Sequence, residues 1–455
     1  MSPGQRSPSP AWPAVARGLL AHASPILVAQ LSSIGMMLVD TAVLGHAGAA
    51  DLAAVAIGGG LHVSVIFALA GILQAVAPVV AHLRGARRDD EIAGVLQQGF
   101  WIALVLSVPG IAFLTMPDPL LGLVTMDPEI EMRVRAYLGL LAWGLPAALC
   151  YRTFYGFCNA LGRPRVLMVI GLVSLALHAV LAWGFALQDW LGRPLGVVGC
   201  AVSNITIGWS ACAAGMAYLH FGPLGQRYRP LRVWRGPDWA RWRELLRLGL
   251  PMGFSNLVEI TAFTLIALFI APLGAEIVAG HRIVANLATL CYMLPLSISL
   301  ATLAAVGQAM GARDLPAARV AVLAGLSLGA GLAVLAAASL WFFADPVVAA
   351  YTDSLAVRRV ALALIPYIVC YQFFDALQTV SSHALRACRV TFLPMVVQIG
   401  CFWGLGLGGG AWLAYRGDPP LGVAGFWLAA VGGLVGAILC LGPLLHRILF
   451  APRGG

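Results

Sequence analysis

Three carboxylates stand where an apolar chain should carry none: Asp40 in "MMLVDTAVLGH", Glu259 in "SNLVEITAF" and Asp375 in "CYQFFDALQ". Each sits inside an apolar run, whereas the other sixteen acids, Asp51 among them, fall in loops, tails or expected helix ends. An ionised group at mid-bilayer costs roughly 2.5 to 3.5 kcal/mol on insertion scales, so such residues normally face a cavity and carry function. The chemistry open to them is exchange of a proton or capture of a cation. No arginine lies near them in sequence, which predicts sites filled by a mobile cation rather than by a fixed internal ion pair.

Weaker polar signals surround these acids. His178 in "SLALHAVLAW" and Asn204 in "AVSNITIG" can share a proton site with Asp40. Gln30, Asn256, Asn286, Tyr371, Gln372 and Gln378 suit a cavity wall or hydrogen bonds between helices. His62, His82, His281 and His383 fall near expected helix ends or turns, where solvated or packing roles are the rule. Pro25 and Pro251 occupy equivalent helix starts and are candidate hinges. The nine cysteines contain no C-x-x-C pair and read as small packing residues.

The elements that position these residues are membrane helices. Of 455 residues, 60% are hydrophobic and 10% charged, with a mean hydropathy of +0.88. That composition is far from a soluble domain. Twelve runs reach the length a bilayer crossing needs: 22–45, 54–82, 93–116, 133–156, 165–188, 196–221, 246–271, 278–308, 319–343, 357–381, 391–415 and 421–446. They lack the strict alternation of a transmembrane barrel, so the expected class is an all-α integral membrane protein. The polar start "MSPGQRSPSPAWPAVARG" has no cleavage signature, and the first helix is expected to be retained.

Every basic residue is an arginine. An internal N-terminus places 21 of them on the cytoplasmic side and 7 outside, which predicts a multi-pass inner-membrane protein with both termini cytoplasmic. The net charge of +9 is then a topology signal with some attraction to anionic lipid, and not a nucleic-acid footprint.

The chain also repeats itself. "PLGVVG" at 194–199 returns as "PLGVAG" at 420–425, and "GARR" at 85–88 returns as "GARD" at 311–314, at an identical offset. "LPAALCYRTF" at 145–154 resembles "IPYIVCYQFF" at 365–374, and "LGRPRV" at 161–166 resembles "LRACRV" at 385–390, at slightly shorter offsets. Constant order and near-constant spacing predict two six-helix lobes related by a parallel pseudo-two-fold repeat. The expected bounds are a cytoplasmic tail 1–21, an N-lobe 22–221, an Arg-rich cytoplasmic linker 222–245, a C-lobe 246–446 and a tail 447–455. On these displacements Asp40 falls opposite Ile266, Glu259 opposite Ser33, and Asp375 opposite Tyr155 or Tyr151. The scaffold repeats and the acids do not. Two such bundles around a central cavity suit alternating access.

Without lysine no Walker A loop can be written, and neither H-E-x-x-H nor G-x-S-x-G occurs. The expectation is a non-enzyme that needs no cofactor and draws its energy from a gradient.

"PILVAQLSSIGMMLVDTAVLGHAGAADLAAVAIG" resembles the first helix pair of the multidrug and toxic compound extrusion (MATE) transporters. "GLPMGFSNLVEITAFTLIALFIAPLGAEIVAGHRIVANL", "YQFFDALQTVSSHALRACR" and "NALGRPR" resemble further signatures of that family. The similarity covers nearly the whole chain and is nearest to the NorM-type branch, with "VDTAVLGH" similar to the DinF-type. It implies export of small cationic, amphipathic compounds in exchange for protons or sodium, by a chain that needs no obligate protein partner. By position, Asp40 matches the family's first-lobe proton site, and Glu259 and Asp375 its second-lobe acids, which hold the coupling cation, sodium included, or the drug's charge. Ser174 and His178 depart from the asparagine pair or acid often found in the fifth helix. An alternative is a flippase for a lipid-linked or polar-lipid cargo, which calls for arginines at mid-membrane. An intramembrane enzyme would have only Asp40 with His178 as its catalytic pair.

Overall fold

In the computed structural model the described residues are 11–121, 126–190, 192–232 and 234–450. Arg6 and Arg453, counted as cytoplasmic above, lie outside them, as do the outer parts of both expected tails. Twelve helices are long and apolar enough to cross a bilayer: α1 (Trp12–Ala47), α2 (Ala49–Gly85), α3 (Asp89–Thr115), α4 (Pro128–Ala160), α5 (Pro164–Ala186), α6 (Val197–Phe221), α7 (Trp239–Leu273), α8 (Ala275–Gly311), α9 (Leu315–Phe342), α10 (Leu355–Ala387), α11 (Phe392–Tyr415) and α12 (Val423–Leu449). The chain is an all-helical multi-pass membrane protein. These helices are apolar nearly all round, as a helix facing lipid on one side and protein on the other must be. Their backbone groups are satisfied within each helix, which hydrocarbon requires.

Several helix starts are written in the sequence. Asp127 accepts from the Glu129 N–H at 2.8 Å with Pro128 in the first turn, and Asp314 accepts from the Ala317 N–H at 3.0 Å. Such caps satisfy donors that a helix start leaves orphaned. Other boundaries differ from expectation. α1 begins at Trp12, well before the expected start, because Trp12, Leu19 and Leu20 continue the apolar helix beyond Pro25. The linker is partly helical, with a short helix Pro223–Tyr228 and α7 starting at Trp239. α12 continues to Leu449, beyond the expected end of the C-lobe.

The repeat is visible helix by helix. α2 and α8 each have 37 residues, and α4 and α10 each have 33. Backbone conformations recur as well: Gly196 (φ 54) pairs with Gly422 (φ 56), Arg87 with Arg313 (both φ 58), and Gly48 (φ 147) with Gly274 (φ 118), all at the offset of the "PLGVVG" and "GARR" motifs. One equivalence changes. Pro128 and Leu355 open α4 and α10, and Ala160 and Ala387 close them, so one offset aligns both ends. The resemblance that pairs "LPAALCYRTF" with "IPYIVCYQFF" is therefore about two turns out of register. In the observed register Asp375 stands opposite Ala148, not Tyr155 or Tyr151, and Arg386 opposite Asn159.

The chain forms two compact units. One comprises Pro25–Leu83 and Arg88–Phe254; the other takes the chain up to Ser24, Arg84–Arg87, and the chain from Ser255. The first unit packs Leu44, Leu114, Leu138, Leu141, Ala182 and Val197 into one core. The second centres on Val258, Val284, Leu364, Ile368, Trp427 and Leu434, and a smaller cluster joins Leu19 and Ala23 of α1 to Ile298, Ala301, Ala324 and Val380. In α11 residues Ile399–Gly409 widen into a π-helix. Its glycines allow this, and Gly433 of α12 approaches so closely that a Cβ there would lie 2.5 Å from the Cys401 carbonyl oxygen.

Candidate functional site

In the first unit α1, α5 and α6 converge on Asp40, which is 7% exposed. His178 Nε2 lies 3.0 Å from Asp40 Oδ1, and Asn204 donates through Nδ2 to Oδ2 at 2.9 Å. Both residues were expected to share a site with Asp40, and the structure brings them together. Asn204 Nδ2 also reaches the Cys200 carbonyl at 3.0 Å, which fixes the amide's orientation. Behind His178, Ser203 Oγ sits 2.9 Å from Nδ1 and 3.4 Å from the His178 carbonyl oxygen. His178 and Ser203 are fully buried. Among the described residues His178 is the sole ion-pair partner of Asp40. Tyr137, also buried, and Cys200 lie close enough to Asp40 to interact with it.

This hydrogen-bond chain can be completed in either charge state of the ring. With a neutral imidazole, the Ser203 hydroxyl donates to Nδ1 while Nε2–H donates to Asp40. With an imidazolium, Nδ1–H donates to Ser203 Oγ, whose hydroxyl turns to the His178 carbonyl. Rotation of one hydroxyl thus leaves no buried donor orphaned. Ser203 went unmarked in the sequence although it neighbours Asn204, because only the packing of α5 on α6 reveals its relation to His178.

In the second unit Asp375 is 3% exposed and Tyr371 4%. Glu259, on α7, is partly buried. Glu259 and Asp375 lie close enough to interact electrostatically. Tyr292 of α8 lies close enough to Glu259 and to Thr379 of α10 to interact with both. The expected freedom from arginine is corrected here. Arg386, one of the 21 arginines that the charge count places on the cytoplasmic side, is 4% exposed on α10 and interacts electrostatically with Glu259. It follows Asp375 by about three helical turns, so both occupy one helix face. That spacing was the available signal. Tyr371 belongs to an aromatic group with Phe263 at 5.9 Å and Trp427 at 5.7 Å between ring centroids.

The remaining candidates fare differently. Gln372 donates to the Ala288 carbonyl at 3.0 Å and links α10 to α8. Gln378 is buried, while Gln30 and Asn256 are partly buried and Asn286 is exposed on α8. Among the described residues no hydrogen bond joins Gln30, Asn256, Asn286 or Gln378 to any of the three acids. His281 is not solvated: it is 1% exposed, with its ring 5.7 Å from that of Trp427. His383 is 6% exposed, with Nδ1 2.9 Å from the Thr379 carbonyl. Pro25 lies where the two units divide α1, and Pro251 one turn before the division of α7.

One acid beyond the three is also buried. Asp51, 6% exposed, takes Arg133 Nη1 at 2.6 Å and the Val197 N–H at 3.2 Å. It ties α2 to α4 and to the start of α6. The Gly in "PLGVVG" is explained by this clamp, since a Cβ on Gly196 would fall 2.5 Å from Asp51 Oδ2.

Twelve bilayer-crossing helices with an acid cluster inside each unit define a polytopic membrane protein of the secondary-transporter type. A family model, MatE, matches residues 25–183 and 251–412, and the chain belongs to that family. The chain is 49% identical over 443 residues to a probable multidrug resistance protein NorM of Aromatoleum aromaticum, covering 96% of each. It is 31% identical to a multidrug resistance protein MdtK of Edwardsiella ictaluri, again covering 96% of each. Among solved structures, the eukaryotic MATE transporter AtDTX14 superposes with a TM-score of 0.87 at 17% identity, over 97% of both chains. An outward-facing multidrug resistance MATE family transporter of the MOP superfamily gives 0.85 at 20% identity, over 95% of this chain and 96% of that one.

Proposed function

We propose that this protein is a multidrug efflux antiporter of the inner membrane, not an enzyme, that exports organic cations against an inward flow of protons. The observation that carries the reading is Asp40 held between His178 and Asn204, with no guanidinium paired to it among the described residues. A buried acid with an arginine partner would be fixed as a carboxylate. An acid with an imidazole partner can pass its charge to a proton shared across 3.0 Å. Ser203 serves either state of that imidazole, so loading and unloading leave the packing intact. The names of the relatives, multidrug resistance proteins, support the cargo class.

In the second unit Glu259 and Asp375 carry two negative charges against the single guanidinium of Arg386. With both acids ionised the cluster keeps one net negative charge, enough for one monovalent cation, whether a proton, a sodium ion or the charged end of the cargo. The hydroxyl of Tyr292 and the carboxylate oxygens are suited to sodium as hard ligands. The two acids outnumber the one buried guanidinium near them, which favours a cationic cargo over the anionic cargo of a flippase. Pro25 and Pro251 are the positions at which α1 and α7 would bend as access alternates.

The test is release of a fluorescent organic cation from proteoliposomes under an imposed pH gradient with sodium absent. Release is expected from the parent, and at least tenfold less from Asp40→Asn and His178→Gln at equal reconstitution. Undiminished export by both variants would overturn the proton assignment.

A further inference from the structure

The arginine-rich segment between α6 and α7 is not a loose tether. Two adjacent glutamines of α3, each 2% exposed, hold it down. Gln97 donates to the Pro230 carbonyl at 2.5 Å and accepts from the Arg235 N–H at 3.3 Å. Gln98 donates to the Gly236 carbonyl at 2.9 Å and accepts from the Asp238 N–H at 2.9 Å and the Trp242 indole at 2.8 Å. Trp101 adds a bond to the Arg235 carbonyl at 3.0 Å, and Trp234 stacks on Phe100 at 6.2 Å. Flanking ion pairs join Arg227 to Asp89 at 2.7 Å and Arg241 to Glu91.

The depth of this attachment is set by α3, which runs from Asp89 to Thr115. About 20 helical residues cross the hydrocarbon, so counting back from Thr115 brings the other boundary close to Leu96. Gln97, Gln98 and Trp101 therefore lie at that boundary, and the segment bound to them runs along it. What it displays outward fits the place. Trp234 is 44% and Trp239 75% exposed, and tryptophan favours the level where headgroups meet acyl chains. Arg229, Arg232, Arg235 and Arg243 are exposed and make no ion pair among the described residues. The Asp238 carboxylate is exposed but engaged at the start of α7, where it accepts from the Ala240 N–H at 2.9 Å and caps the helix.

We infer that this strap is a platform for anionic phospholipids, with Trp234 and Trp239 at the acyl boundary and the four arginines against the phosphates. The chemistry selects lipid in a bilayer over a soluble anion: the tryptophans need an apolar phase beside the phosphates. The inference rests on the membrane architecture and is independent of the cargo and the coupling ion.

The test uses the full chain reconstituted with spin-labelled phosphatidylglycerol or phosphatidylcholine, measuring relative association with the protein surface. The parent is expected to prefer phosphatidylglycerol. A variant carrying Arg229→Gln, Arg232→Gln, Arg235→Gln and Arg243→Gln should lose that preference and associate with the two lipids alike, since each basic residue near an anionic surface contributes about 1 kcal/mol. The four corresponding Arg→Lys substitutions should keep most of it, and thermal stability in neutral detergent should match the parent in both, since these side chains are exposed. An unchanged preference in the Gln variant would overturn the inference. So would competition by inorganic phosphate as effective as that by lipid, which would make the strap a soluble-anion site.

Discussion

Gln98 offers the sharpest quantitative handle on the architecture. Gln98→Leu removes three hydrogen bonds of 2.8 to 2.9 Å that tie the strap and the first turn of α7 to α3. Each such bond contributes about 1 kcal/mol net, so strap attachment weakens by about 3 kcal/mol. At about 1.4 kcal/mol per factor of ten, detached strap rises roughly hundredfold. Arg232 and Arg235 are tryptic sites within the strap, whereas the Arg229–Pro230 bond resists trypsin, and cleavage follows the open population when opening and closing outpace the protease. Trypsin should therefore cut the variant at Arg232 and Arg235 about a hundred times faster than the parent. Cleavage at Arg416, outside the strap, serves as the internal standard and should not change. Gln98→Glu keeps the acceptor and loses the donor to Gly236, so an increase of about fivefold is expected. An increase below about threefold in Gln98→Leu would refute the account of what holds the strap.

Two further outcomes follow from buried charges. For Arg386 and Glu259, thermal unfolding of Arg386→Gln, Glu259→Gln and the double variant should give a coupling energy above about 1 kcal/mol, with either single change costing more than the pair's removal predicts by addition; additive losses would dismiss the pairing. Gly196→Ala places a Cβ 2.5 Å from Asp51 Oδ2 and should destabilise the protein by at least about 2 kcal/mol. Gly192→Ala, also at positive φ but facing open space, supplies the reference in the same melting assay and should cost only about half as much.

Hydropathy made the number of helices legible, because burial in lipid leaves apolar runs whose length is dictated by bilayer thickness. The repeat was legible where backbone geometry demands particular residues, as at Gly196 and Gly422. It misled at α4 and α10, where similar residues around Pro146 and Pro366 stand two turns apart in the fold. There helix length, not local similarity, sets the equivalence. In the site, Asp40, His178 and Asn204 stood out as polar residues in apolar runs. Ser203 did not, since a serine is unremarkable in a membrane helix until its neighbour across the interface is known. Arg386 and Asp51 stand near helix ends, as the sequence indicates, yet both are buried there. Burial at a helix end is a property of packing that one stretch of sequence does not display.

The division of α1 at Ser24 and of α7 at Phe254 bears on whether the two halves of the chain can be separated. Each half of the sequence lends the opening segment of its first helix to the other half's compact unit. The same exchange means that a chain severed in the strap yields two fragments, neither containing a whole unit. They should be recovered together or not at all.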